Sequence, residues 1–178
     1  IHLYTDDLAV DPQFVSHNIT FKDNYITRAG NYYYGSIGIL LYDVENFSAI
    51  HNEIYKTPYS GMSLGWGGDL KNDDGMKILN NYIHDYMYKS LDGGGIYTLG
   101  VQAGAVMRGN YIKNQIKHNG AIYNDLTSVN FHMTDTLMEN VPNNFWSGLL
   151  GERQLVAERI YSTTERQLFL TAKDGAPT

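Results

Sequence analysis

With 178 residues, 18% of them charged, and a net charge of −6, the chain supports one domain with a core. That charge offers no field attractive to nucleic acid or to an anionic membrane, and no apolar run approaches the ~20 residues of a membrane span. The absence of cysteine excludes a disulfide framework, a thiolate zinc site and a thiol nucleophile.

Ile1 opens the chain with no signal peptide before it, as expected of a piece excised or processed from something longer. The first sixteen residues are expected to complete an N-terminal coil. Four anchors of the form Asn-x-Ile follow: Asn24-Tyr25-Ile26, Asn52-Glu53-Ile54, Asn81-Tyr82-Ile83 and Asn110-Tyr111-Ile112, spaced 28, 29 and 29 residues apart. Three residues before each stands an apolar residue (Phe21, Ala49, Ile78, Met107). After each comes a second apolar segment, at Gly38-Ile39-Leu40, Gly61-Met62-Ser63, Gly95-Ile96-Tyr97 and Ala121-Ile122-Tyr123. Periods of this size mark a solenoid, whose repeats bury their apolar faces only against one another. Short alternating runs bounded by Gly, Asn and Asp, with little helical periodicity, make the repeat unit β.

The predicted fold is therefore all-β, a right-handed parallel β-helix of about six to seven coils. One domain is expected over residues 1–170, with a tail or linker over 171–178. The anchor asparagines are expected to stack inside as an amide ladder, each bonding the next coil. Later coils run through Val129–Leu137 with Phe145-Trp146, then Leu155 to Tyr161. Residues 142–151 read as a loop or a single turn.

Insertions on one face are where a solenoid commonly binds. The surplus lies at residues 66–75 and 86–92, where the spacing from Gly61 to Gly95 stretches to 34 residues. Fifteen tyrosines exceed what a core needs. Tyr32, Tyr33 and Tyr34, and the Tyr86/Tyr88 pair, contain positions expected to point outward. Tyr59, Trp66, Tyr97 and Tyr123 lie at bends and coil edges, where an apolar ring with a polar tip suits a sugar. The same rings could instead stack coil on coil. Asp92 and Asp125 fall beside second-segment strands one coil apart, and two carboxyl groups roughly 5–10 Å apart are what glycoside hydrolysis needs. Both could equally serve the turns they occupy. His84 follows the third anchor beside Asp85. No two histidines have metal-ligand spacing on one strand face. Asp69, Asn72, Asp73 and Asp74 could hold calcium through oxygen ligands, although Lys71 among them suits a solvated loop. No other cofactor is indicated, and metal ligands stay unassigned. The triglycine lacks nucleotide-fingerprint spacing, and Ser63 in Gly61-Met62-Ser63-Leu64-Gly65 lacks the strand-turn-helix context of a nucleophile elbow.

Three strings carry a family resemblance: Asn81-Tyr82-Ile83-His84-Asp85, Asp92-Gly93-Gly94-Gly95-Ile96-Tyr97-Thr98-Leu99-Gly100 and Ser60-Gly61-Met62-Ser63-Leu64-Gly65-Trp66-Gly67. Over residues 17–165 the chain resembles right-handed parallel β-helix proteins of bacterial polysaccharide degradation, among them hydrolases of xylo-oligosaccharides, fucosides and galactosides. Those hydrolases are longer and read G-I-Y-x-D-E-G-S where this chain has Ala121-Ile122-Tyr123-Asn124-Asp125-Leu126-Thr127-Ser128. Leu126 replaces the acid and Thr127 the glycine. Size and lost acid together resemble the β-helix carbohydrate-binding modules of family 89 attached to bacterial xylanases. The resemblance implies a secreted, non-catalytic module that binds a polysaccharide, xylan foremost, for a catalytic domain in the same parent chain. Trp66, Tyr59, Tyr97 and Tyr123 would form the groove, with Asp92, Asp125 and His84 as hydrogen-bond partners. The alternative is a glycoside hydrolase using Asp92 and Asp125. A structural spike or adhesin is a third reading, against which the insertions and tyrosines argue.

Overall fold

Each coil turns the corner at its anchor because the residue before the inward asparagine takes a left-handed backbone. Asp23, His51 and Asn80 have φ of 57, 54 and 54°, and Asp135 has φ 52° at the same corner of a later coil. Such conformations suit Asn and Asp, whose short polar side chains bond locally. At the fourth coil the corner residue is Gly109, with φ 69°, where a Cβ would sit 2.1 Å from Asn80 Oδ1 and displace that amide. The computed structural model describes residues 2–4, 16–42, 44–65, 74–117, 119–126, 128–147, 155–164 and 168–169.

Strands stack in three columns, and every pairing is parallel. The first column holds Thr20–Lys22, Ser48–Ile50, Lys77–Leu79, Val101–Arg108, the start of Val129–Glu139, and Leu155–Ser162. The second holds Tyr25–Thr27, Glu53–Tyr55, Tyr82–Tyr86, Tyr111–Gln115 and the end of Val129–Glu139. The third runs His2–Tyr4, Ile39–Tyr42, Met62–Gly65, Ile96–Leu99, Gly120–Asn124, Asn143–Ser147 and Leu168–Phe169. A short extra pair joins Ser16–His17 to Val44–Glu45. The result is a parallel β-solenoid of about five turns, fewer than the six to seven expected. Among the described residues the first column has six rungs, separated by five coil steps. Phe145-Trp146 lies in a coil as expected, and residues 143–147 around it form a strand rather than a loop, paired with the Gly120–Asn124 rung. Among the described residues no helix is long and apolar enough to cross a membrane.

Register places like on like. Ala49, Ile78, Met107 and Met133 form one interior stack, Ile54, Ile83, Ile112 and Met138 a second, and Ile39, Met62, Ile96, Ile122 and Phe145 a third, all buried. Phe21 and Ile26, at the first rung, are only half-buried and pack against this core. Between the first two stacks runs the amide ladder. Asn24 Nδ2 donates to Asn52 Oδ1 (2.8 Å), Asn52 Nδ2 to Asn81 Oδ1 (2.9 Å) and Asn81 Nδ2 to Asn110 Oδ1 (3.0 Å). Each acceptor oxygen also takes the backbone N–H of the preceding asparagine, and three of the amides reach back to a strand carbonyl. Buried amides so paired avoid the penalty of unmet polar groups. The anchors thus fix the corner and the register together.

Candidate functional site

Strand alternation in the third column sends Ile96 and Thr98 inward and Tyr97 outward. Tyr97 pairs in register with Ser63 on one side and Tyr123 on the other. Neither tyrosine belongs to the interior cluster, yet each is only 4% exposed, so this outer face is covered. Their hydroxyls cross between coils. Tyr97 donates to Asp125 Oδ2 of the next coil (2.8 Å), and Tyr123 donates to Asp92 Oδ1 of the preceding one (2.8 Å). The two rings meet edge to face with centroids 5.0 Å apart. Tyr59, half-buried, lies 6.5 Å from Tyr97 and donates to the Asp92 carbonyl oxygen at 2.6 Å.

The backbone beneath is fixed closely. Asp92 turns with φ 65°, and a Cβ on the following Gly93 would meet Ser60 Oγ at 2.4 Å and Tyr59 Cε2 at 2.6 Å. The glycine run is thus needed for the Tyr59 loop to approach. Asp125 N–H donates to the Thr98 carbonyl (3.0 Å) and its own carbonyl takes Ser128 N–H (2.9 Å). Ser128 Oγ donates to Thr98 O at 2.9 Å, and Asn124 Nδ2 to Thr98 Oγ1 at 2.8 Å. Asp92 is exposed and Asp125 half-exposed, so both carboxylates reach solvent from a buried aromatic base.

Electrostatics keep the phenols protonated. Burial, then the negative charges of Asp92 and Asp125, push Tyr59 up to about 12. Burial and its bond to Asp125 raise Tyr97 further above the ordinary phenol value. Neutral phenols donate and carboxylates only accept. The arrangement therefore holds two acceptor groups on adjacent coils, positioned by donors that stay donors near neutral pH.

Five of the expected site residues are thus brought together: Tyr59, Tyr97, Tyr123, Asp92 and Asp125. Tyr97 and Tyr123 are not the partly exposed sugar platforms expected of them, because their rings are covered and their hydroxyls are spent on carboxylates. Trp66 lies outside the described residues, as do Asp69, Asn72 and Asp73 of the candidate calcium loop. Among the described residues no group of three or more His, Asp or Glu is arranged to hold a metal ion.

His84 lies elsewhere, in the second column. Its ring stacks on Tyr55 (4.9 Å) and Tyr82 (4.2 Å), and Tyr82 stacks in turn on Tyr111 (4.8 Å). Nδ1 meets Asp85 Oδ2 at 2.7 Å and Nε2 meets Glu53 Oε1 at 3.2 Å. Two rings stack on the imidazole, and both its nitrogens are engaged. The signal for this aromatic ladder was the middle residue of the anchor, tyrosine in three of the four. Tyr86, expected outward, is fully buried and donates to Gln115 Oε1 at 2.9 Å.

A solved structure named glycoside hydrolase contains the same solenoid. The two share 28% sequence identity with a TM-score of 0.75, over 85% of this chain and 26% of that one. The chain thus spans about a quarter of the length of that hydrolase. No protein-family model matches the sequence, and no curated protein matches it.

Proposed function

We propose that this solenoid is a non-catalytic carbohydrate-binding module. Its ligand is a plant cell-wall polysaccharide, xylan foremost, and it serves a glycoside hydrolase domain elsewhere in the same secreted parent chain. The observation that carries the reading is the crossed pair of bonds, Tyr97 to Asp125 and Tyr123 to Asp92. Each phenol occupies one oxygen of its carboxylate and orients the group, so that further acceptor sites face solvent for sugar hydroxyls. Likeness to a glycoside hydrolase supports a glycan as the partner. Leu126, 46% exposed, stands where the resembled hydrolases carry an acid, which favours binding over turnover.

Affinity electrophoresis in soluble xylan tests this directly. The wild-type chain is expected to be retarded, and Asp92→Asn to weaken binding on the order of tenfold, the loss of one charge-assisted bond of about 1.4 kcal/mol. The asparagine oxygen still accepts from Tyr123, so the thermal midpoint should hold. Absence of retardation in xylan and in every other β-glycan tried, or an Asp92→Asn variant that binds as well as wild type, would sink the reading.

One observation favours a second reading. Asp92 and Asp125 stand on adjacent coils, each bonded by the tyrosine of the other's coil, and glycoside hydrolysis uses two carboxyl groups. The binding reading expects no release of aryl product from aryl xylosides, fucosides or galactosides, and no reducing ends from xylan. Turnover that disappears in both Asp92→Asn and Asp125→Asn would replace the module with an enzyme.

A further inference from the structure

One corner of the solenoid concentrates cations that the proposed binding site does not use. In successive coils this corner is occupied by Arg28, Lys56, Asp85, Asn114 and Asn140, all left-handed, with φ of 55, 55, 54, 57 and 52°. Pairing of Thr27 with Tyr55, and of Tyr55 with His84, sets Arg28 beside Lys56 and Lys56 beside Asp85. The two cations leave the backbone one rung apart, ~4.8 Å. The later members of the column tie one another down. Asn140 Nδ2 donates to Asn114 Oδ1 (2.9 Å), Asn114 Nδ2 to Asp85 Oδ1 (3.0 Å), and Asp85 Oδ2 meets His84 Nδ1 (2.7 Å). Burial opposes the charge on Asp85, but the bonds from His84 and Asn114 outweigh it and hold the carboxyl below its usual range.

Asp85 is therefore committed to His84 and Asn114. Among the described residues neither Arg28 nor Lys56 forms an ion pair. Lys56 lies over the Tyr55 ring at 4.9 Å, and both cations are exposed. Between them opens a trough of about 670 Å³ lined by Arg28, Asn31, Lys56, Asp85, Tyr88 and Ile116. That volume falls within the roughly 300–1,000 Å³ of small-molecule sites. The lining spans four coils, three steps of ~4.8 Å or about 14 Å along the axis, enough for a sugar with its branch point. The loop that supplies Asn31 also carries Tyr32 and Tyr33, 92% and 80% exposed.

We infer that this trough is a second glycan subsite, selective for an acidic sugar: a hexuronate such as the glucuronic-acid branch of glucuronoxylan. The Arg28 guanidinium matches the plane of a carboxylate, and Lys56 adds a point charge beside it. Asn31 takes ring hydroxyls, while Ile116 and the half-buried Tyr88 offer apolar surface to the C–H face. An inorganic anion would use only the two cations and leave the rest of the lining idle. The chain's net charge of −6 does not repel such a ligand effectively, because charges more than ~8 Å away are screened at physiological ionic strength. The choice of xylan rests on the binding reading given above; the acidic subsite stands on its own lining.

Titration calorimetry with glucuronoxylan, neutral arabinoxylan, free glucuronate, xylose and inorganic sulfate separates the two. Wild type is expected to bind glucuronoxylan roughly fivefold more tightly than arabinoxylan, the upper end for a solvent-exposed charge contact of about 1 kcal/mol. That increment should vanish at high salt and in Arg28→Gln and Lys56→Gln, with arabinoxylan affinity and thermal midpoint unchanged. Equal affinity for the acidic and neutral xylans overturns the subsite and leaves the binding module intact. Binding of free glucuronate that needs Arg28, without binding of any neutral xylan, upholds the subsite and overturns the module. Sulfate competing as strongly as glucuronate would also overturn it, reducing the trough to a simple anion site.

Discussion

Replacing Asn81 by alanine is expected to remove most of the stability of the solenoid. Asn81 is 1% exposed at the middle of the ladder. Its amide donates to Asn110 Oδ1 at 3.0 Å and to the Ala49 carbonyl at 2.9 Å. Its oxygen takes both the backbone N–H of Asn52 at 3.0 Å and its Nδ2 at 2.9 Å. Alanine deletes all four bonds and strands two buried donors on Asn52 and an acceptor on Ala49. At roughly 1–3 kcal/mol for each of the three buried groups left unmet, the loss is about 3–9 kcal/mol against a typical stability of ~5–15. Asn24→Ala is the natural control. That residue sits half-buried at the end of the ladder, and its side chain is only a donor to Asn52 and to the Lys22 carbonyl. After its loss Asn52 Oδ1 still accepts the Asn24 N–H. About 1 kcal/mol is expected there. Urea titration followed by circular dichroism should show the midpoint collapse for Asn81→Ala and move little for Asn24→Ala. A break at the central rung should also lower the m-value, since coils on either side then unfold separately. Equal shifts for the two variants would show that the ladder does not hold the coils together.

The ladder was legible because its signal is local and periodic: the same dipeptide-spaced anchor every 28 or 29 residues can only stack one way. The candidate site was legible in part. Asp92 and Asp125 stand out as acids at strand ends, but their phenol partners lie on neighbouring coils, 31 and 28 residues away. Alternation puts Tyr97 on the outer face, yet nothing in the period says that this face is covered. His84 was separated from the cluster by its own column, a distinction visible only once Tyr55, His84 and Lys113 align across the second sheet. Arg28 and Lys56 differ by the repeat length itself, so their pairing is present in the sequence, but neither residue belongs to a motif that marks it.

Alkaline pH is expected to destabilise the chain through the same tyrosines that position the carboxylates. An ordinary phenol loses its proton near 10, whereas Tyr59 holds its proton to about 12, through burial and the nearby Asp92 and Asp125. Tyr97 is raised for a related reason, burial plus its bond to Asp125, and Tyr86 by complete burial. Between these values the unfolded chain sheds protons that the folded chain keeps. Their contribution is therefore whole below pH 10 and declines as pH climbs through the raised values. Each such phenol supplies up to 1.36 kcal/mol per pH unit, roughly halved by solvent screening at partly exposed groups, so a loss on the order of 2 kcal/mol is expected between pH 10 and 11. Urea midpoints at pH 9, 10 and 11 measure it, with tyrosinate absorbance reporting which phenols have ionised. Tyr97→Phe leaves Asp125 Oδ2 without its phenol donor and should lower stability by about 1 kcal/mol at neutral pH, but the variant should then lose distinctly less than wild type on going alkaline. A wild-type midpoint that is flat from pH 9 to 11 would mean that these phenols titrate freely. A Tyr97→Phe variant with an undiminished alkaline loss would mean that Tyr97 does not hold its proton against Asp125, and the site would lose the donor that positions that carboxylate.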